Sequence, residues 1–260
     1  MYLPQLLARA VKGEKLTVLT CYDASFARLL ANNGVDVLLV GDSLGMTVQG
    51  HGSTLPVTLE HMIYHTDAVA RGAADQAFIV ADLPFGSYQT SPQQAFESAA
   101  RLMAAGANMV KLEGGAIMLE SVHFLARRGI PVCAHLGLLP QSVNATGYRA
   151  QARDAAAAAQ LLQDAGDLES AGAQMLVLES IPSVLAEEVT QHLAIPTIGI
   201  GAGPHCNGQV LVLQDVLGLT PKPPRFAKDF MSGAGNMAAA ISAYVGAVKT
   251  GTFPGPEHGF

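Results

Sequence analysis

Eight short apolar runs recur along the chain, at residues 17–21, 35–41, 78–82, 108–113, 131–135, 175–179, 196–200 and 210–215. They do not alternate apolar with polar positions. They are apolar almost throughout, as strands buried on both faces of a parallel sheet should be. Helical patterning fills the gaps at 58–71, 91–106, 117–127, 154–171 and 183–192. Ser91-Pro92-Gln93-Gln94 has the form of a capping box with proline at the first helical position. Gly34, Gly106, Gly129 and Gly172 each stand just before an apolar run, where a left-handed residue can close one helix and release the chain into the next strand. Strand and helix alternate eight times with no break in composition. That predicts an α/β fold, a single (β/α)8 TIM barrel over residues 1–260, with a doubly wound open sheet as its main rival. Residues 1–12 read as an extra N-terminal helix. Residues 249–260 form a Gly/Pro-rich tail expected on the surface or against a neighbouring subunit.

Composition narrows this picture. Half of the residues are hydrophobic, enough for one large core, and only 14% are charged, so polar chemistry falls to few side chains. The formal net charge is -6 and no Lys/Arg cluster occurs, which argues against a nucleic-acid partner. No apolar stretch approaches the ~20 residues of a membrane helix, and the first residues lack a secretory pattern, so no membrane association is expected. Cys21, Cys133 and Cys206 are odd in number and irregularly spaced, which argues against disulfides. Cys21 and Cys133 read as buried reduced thiols, and a cytoplasmic setting is expected.

Polar residues collect at the C-terminal ends of the runs: Tyr22-Asp23, Asp42-Ser43, Asp82, Lys111 and Glu113, His135, and Glu179. That rim is where barrels of this type assemble chemistry, and buried charges there are costly unless paired or metal-bound. One Asp at a strand–helix junction more often caps the helix. Three acids from successive strands, Asp42, Asp82 and Glu113, instead call for a cation, and all-oxygen donors favour a hard ion such as Mg2+. Lys111 projects to the same side as Glu113, either to hold an anionic substrate group or as an internal salt bridge. His135 is a core histidine or a participant. Glu179, in Met-Leu-Val-Leu-Glu-Ser, has no local cation, and desolvation would bring it toward a general base unless a distant Lys or Arg pairs with it. The glycines of residues 199–203 allow a ligand to approach the backbone closely but do not form a dinucleotide motif. His61, His65 and His123 fall on helices as surface or packing residues.

Several segments together resemble the ketopantoate hydroxymethyltransferase (3-methyl-2-oxobutanoate hydroxymethyltransferase) family. They are Leu39-Val-Gly-Asp-Ser-Leu-Gly-Met46, Ala81-Asp-Leu-Pro-Phe85, Val110-Lys-Leu-Glu-Gly-Gly115, His135-Leu-Gly-Leu-Leu-Pro-Gln141, Val177-Leu-Glu179 and Ile198-Gly-Ile-Gly-Ala-Gly203. The resemblance covers essentially the whole chain in order. It implies a barrel of the phosphoenolpyruvate/pyruvate-type superfamily, one Mg2+ per subunit and a homodecamer. By this similarity Asp42, Asp82 and Glu113 gather round the metal, Ser43, Asp82 and Lys111 contact the 2-oxo acid with His135 nearby, and Glu179 accepts a proton. The implied reaction transfers a hydroxymethyl group from 5,10-methylenetetrahydrofolate to 3-methyl-2-oxobutanoate by enolate formation. The product is 2-dehydropantoate, on the route to pantothenate and coenzyme A. Residues 144–148 depart from the family, which usually has a Gly-Gly pair there, and Asn207 stands where aspartate is common. Two rivals remain in view. One is another Mg-dependent 2-oxo-acid aldolase, lyase or phosphomutase on this barrel, which more often depends on a reactive cysteine. The other is a catalytically silent ligand-binding barrel.

Overall fold

The computed structural model describes residues 1–260, except for the side chain of Thr146. Eight strands follow one another: β1 Leu16–Thr20, β2 Val37–Val40, β3 Phe78–Asp82, β4 Met109–Glu113, β5 Val132–Gly137, β6 Met175–Glu179, β7 Thr197–Ile200 and β8 Gly208–Leu211. Each pairs in parallel with the next. β8 returns to β1 through Leu16↔Gly208 to Leu19↔Leu211, so the sheet is a closed barrel and the open-sheet rival falls. Eleven α-helices accompany the strands: α1 Leu3–Val11, α2 Ala24–Asn32, α3 Leu44–Thr47, α4 Leu59–Ala73, α5 Pro92–Ala104, α6 Leu119–Ala126, α7 Val143–Thr146, α8 Ala155–Ala171, α9 Ser183–His192, α10 Leu213–Val216 and α11 Met237–Thr250.

The glycines before β2, β4, β5 and β6 adopt positive φ as expected, at 83°, 107°, 81° and 110° for Gly34, Gly106, Gly129 and Gly172. Three local expectations need correction. The last apolar run spans both a strand and a helix: β8 ends at Leu211, and Asp215 belongs to α10. Only half of the capping box forms. Ser91 Oγ accepts from Gln94 N at 3.1 Å, while Gln94 Oε1 turns to Thr90 N and Oγ1. The pattern also gives no helix at α2 or α11. α2 is set by Asp23, whose carboxylate accepts from Ser25 N and Phe26 N, so Asp23 is a helix cap. α11 is rich in alanine and glycine, which weakens its amphipathic contrast.

Two apolar layers hold the barrel. Inside lie Val18, Val37, Leu39, Val80, Met109, Cys133, Met175, Val177 and Val210, with the fully buried Leu6 of α1 among them. Outside, Leu38, Val110 and Leu112 meet helix residues such as Met62, Leu102 and Val122. Burial of one such Leu or Val contributes roughly 1.5–3 kcal/mol. At the N-terminal mouth, Asp36 gathers donors from three elements. Its carboxylate accepts from Thr17 N and Thr17 Oγ1, both at 2.8 Å, and pairs with Arg9 of α1 at 2.7 Å and with Lys249 of α11. In the C-terminal tail Phe253 and His258 are buried, and Phe260 is exposed and reaches the wall of a cavity at the opposite mouth.

Candidate active site

The inward-facing side chains change character over one layer. Val18, Val80, Met109, Cys133 and Val177 are apolar. Two residues further toward the C-terminal ends, the same parity carries Thr20, Asp82, Lys111, His135 and Glu179, with Glu113 one step beyond Lys111. The strand register puts Asp82 beside Lys111 and Glu113 beside His135. With Asp42 and Ser43 from the end of β2, they line one cavity of about 950 Å3. The seven candidate site residues, Asp42, Ser43, Asp82, Lys111, Glu113, His135 and Glu179, therefore meet at one mouth.

Asp42, Asp82, Lys111, Glu113 and His135 are all buried. Asp42 N donates to Asp82 Oδ2 at 3.1 Å, and Lys111 Nζ lies 2.8 Å from Asp82 Oδ1. His135 sits between two acids, with Nδ1 3.5 Å from Glu113 Oε1 and Nε2 3.3 Å from Glu179 Oε2. Glu179 is thus not alone, as its local sequence suggests. Its partner is a histidine from the adjacent strand rather than a distant Lys or Arg, and its side chain is 15% exposed toward the cavity. The next residue, Ser180, is a buried non-glycine at φ 50°, and its carbonyl accepts from Gln151 N at 2.9 Å. Such a conformation is costly and is held only where the surroundings impose it. Gly41 has a simpler reason to be glycine: a Cβ there would stand 2.7 Å from Ser43 Oγ. That hydroxyl is 2.8 Å from Tyr22 OH.

Sequence reasoning missed the hub of the cluster. Gln141 Nε2 donates to Asp42 Oδ2 and to Leu83 O, both at 2.9 Å, and its backbone N donates to Glu113 Oε2 at 3.1 Å. Its Oε1 accepts from Tyr88 OH at 2.7 Å, and Glu113 N donates to the same phenol oxygen at 3.1 Å. Gln141 closes the His135–Gln141 motif, but an amide in a short 3-10 turn carries no sign that it will reach acids at the ends of two other strands.

The charges are unbalanced. Burial, then Asp82 and Glu113, push the Asp42 carboxyl well above the ordinary range. Burial opposes the Lys111 ammonium, but Asp82, Glu113 and Asp42 outweigh it and hold the charge firmly. Burial and Lys111 also oppose protonation of His135, and the Glu113 and Glu179 carboxylates overcome them, lifting it to about 8. Glu113 Oε1 and both ring nitrogens of His135 find no hydrogen bond of good geometry. A hard divalent cation fits this donor set, since the excess charge is negative and the donors are carboxylate oxygens. Among the described residues, no three His, Cys, Asp or Glu side chains converge as a ready-made metal cage.

The remaining sequence features separate from the site. The glycines at 201 and 203 admit the protein's own side chains: a Cβ on Gly201 would meet Phe226 at 2.9 Å and Phe260 at 3.0 Å, and one on Gly203 would meet Ser183. Asn207 precedes β8, and its Oδ1 accepts from Thr197 N at 2.9 Å at the start of β7, at the mouth away from the acids. Aspartate could accept the same bond. In the other departing segment, Tyr148 lines the cavity, and the Thr146 side chain lies outside the described residues. All three cysteines are buried and free. Burial pushes Cys21 and Cys133 up to about 12 and also raises Cys206. No helix among the described residues is long and apolar enough to cross a membrane.

A family profile described as ketopantoate hydroxymethyltransferase matches residues 1–256. A 3-methyl-2-oxobutanoate hydroxymethyltransferase of Thiobacillus denitrificans is 64% identical over 259 residues, covering 99% of this chain and 98% of the relative. One of Methylobacillus flagellatus is 64% identical over 251 residues, covering 96% and 95%. Among solved structures, a 2,3-dimethylmalate lyase of the PEP mutase/isocitrate lyase superfamily superposes with a TM-score of 0.60 at 19% identity, covering 81% of each chain. A phosphoenolpyruvate phosphomutase from Streptomyces platensis superposes at 0.64 and 14% identity, covering 84% and 83%. These two likenesses concern the fold, which is the barrel type expected from the sequence.

Proposed function

Because the chain belongs to the ketopantoate hydroxymethyltransferase family, we propose that it transfers a hydroxymethyl group to C3 of 3-methyl-2-oxobutanoate, with 5,10-methylenetetrahydrofolate as donor. The product is 2-dehydropantoate. Pantothenate and coenzyme A synthesis, a cytoplasmic setting and a homodecamer belong to the same reading. The observation that carries it is Glu179 facing the same cavity as Asp42, Asp82, Lys111 and Glu113.

In this reading Lys111 and Ser43 hold the carboxylate and keto oxygens of the oxo acid, and Asp82 fixes the ammonium of Lys111. Asp42, Asp82 and Glu113 would hold Mg2+, which when bound supplies positive charge toward the keto oxygen. Gln141 keeps Asp42 and Glu113 in place. Glu179 takes the C3 proton. The electron pair left behind spreads to the keto oxygen and then forms the new carbon–carbon bond to the one-carbon unit, while water supplies the hydroxyl and tetrahydrofolate leaves. His135, protonated between its two carboxylates, aims Glu179 for this task. The lyase-type rival is weakened by the three buried, raised thiols, none of which is a ready nucleophile.

The test is deuterium exchange at C3 of the oxo acid. Glu179→Gln should lower it by roughly 10²–10⁴-fold, the usual contribution of a positioned base, with the melting temperature unchanged. Exchange at the normal rate in that variant would refute the assignment.

A further inference from the structure

We propose that the outer half of the cavity, walled by residues 219–226 and by the tail ending at Phe260, is the recognition surface for the one-carbon donor. Phe226 and Phe260 would face its flat aromatic body, and Arg149, Lys222 and Arg225 its anionic groups. This rests on the hydroxymethyl-transfer reading.

The cavity has two zones. Its floor is the buried acid cluster. Its rim is exposed and carries Arg149, Lys222 and Arg225. Among the described residues none of these three cations forms a salt bridge with an acid, so their charge faces solvent and whatever enters. The volume of about 950 Å3 lies near the top of the range that encloses drug-sized ligands, far beyond the needs of a five-carbon oxo acid. A donor of one-carbon units must sit above the oxo acid to deliver to its C3, and the rim is the space left for it.

The wall is built rather than incidental. Both phenyl rings pack over Gly201, where any side chain would collide with them. The tail is tied down on two sides: Ser183 N donates to Phe260 O at 3.2 Å, and Arg225 Nε donates to Glu257 O at 3.0 Å. The Arg225 guanidinium lies over the Phe260 ring, 5.7 Å from its centre, so the cation and the ring stand together at the rim. Phe260 is nevertheless 42% exposed, which leaves ring surface for a partner.

The experiment compares Phe260→Ala, Phe260→Tyr and the double variant Lys222→Ala/Arg225→Ala in the full-length enzyme. The KM for 5,10-methylenetetrahydrofolate is measured with one and with several glutamates, beside C3 deuterium exchange of the oxo acid without folate. We expect the donor KM to rise about tenfold in Phe260→Ala, and to return to normal in Phe260→Tyr. In the double variant it should rise more for the polyglutamylated donor than for the monoglutamylated one. Exchange should stay at the wild-type rate in all three. An unchanged donor KM with intact exchange would overturn this proposal alone. Donor KM and exchange failing in the same proportion would overturn it too, since the wall would then serve the oxo acid. Absence of exchange in the wild-type enzyme would overturn the transfer reading and this one with it.

Discussion

At the N-terminal mouth of the barrel, Asp36 is buried and surrounded by donors: two from Thr17, one guanidinium and one ammonium. At the C-terminal mouth, Asp42, Asp82 and Glu113 are equally buried, but they share one ammonium, and Glu113 Oε1 and both nitrogens of His135 lack good hydrogen bonds. Both ends bury charge. One end satisfies it within the chain and is complete. The other leaves it unbalanced, and the imbalance is what a cation and an anionic substrate can resolve. Conserving stability at one end lets the other hold an arrangement that would be unfavourable by itself.

The comparison breaks most directly at Asp42. Asp42→Asn should lower kcat by about 10²-fold or more, as loss of a group that organises charge at a reacting oxygen does. In chelator it should also raise stability by on the order of 1 kcal/mol, because an amide is neutral without the cost of taking up a proton beside Asp82 and Glu113 and can still accept from Gln141. Kinetics and urea melts check both signs; a less stable variant would mean that the C-terminal cluster is a structural pairing like the other one.

Asp36→Asn is the mirror experiment. Loss of a buried partner of two cations costs about 2–3 kcal/mol, less than for a fully buried pair because Arg9 and Lys249 are partly exposed. Activity per folded molecule should be unchanged. A kinetic defect without a shift in the melting curve would reverse the roles assigned to the two ends.

Much of this was legible in the chain. The runs at 78–82 and 175–179 coincide with β3 and β6 at both ends, because each is bounded by a turn and a polar residue. β8 was not, since apolar residues continue from the strand into α10 and burial alone does not tell one from the other. Asp42, Asp82, Glu113 and Glu179 stood out as acids in apolar surroundings. Asp36 stood in the same kind of surroundings and is structural; what separates it is the company of Arg9 and Lys249, which are distant in sequence. Gln141 and Tyr88 gave no signal, since their importance lies entirely in what they touch.

Two smaller effects sharpen the contrast. Gly41→Ala would press a methyl group against Ser43 Oγ, and the KM for the oxo acid should rise about tenfold, or ~1.4 kcal/mol, with little loss of stability. An unchanged KM would show that Ser43 moves freely or does not touch the substrate. The smallest effect is in acid. Burial works to raise the Asp36 carboxyl, but Lys249 and the Thr17 donors outweigh it and hold it below its ordinary value. The unfolded chain therefore takes up this proton at higher pH than the folded one. The stabilisation is complete above about pH 5 and fades as pH falls through the folded value. The urea-midpoint difference between wild type and Asp36→Asn should be flat near neutrality and shrink in acid; a difference that grows in acid would contradict the pairing.

By itself the sequence determined the rhythm of the fold and which residue types would stand at the strand ends, because apolar continuity and turn residues are local properties carried by neighbours in the chain. The tertiary structure decided which acid is satisfied and which is left exposed to a ligand, that a histidine bridges Glu113 and Glu179, and that the last residues wall the cavity. Those outcomes depend on distances between residues far apart in sequence, and electrostatic and hydrogen-bond energies are set by such distances alone.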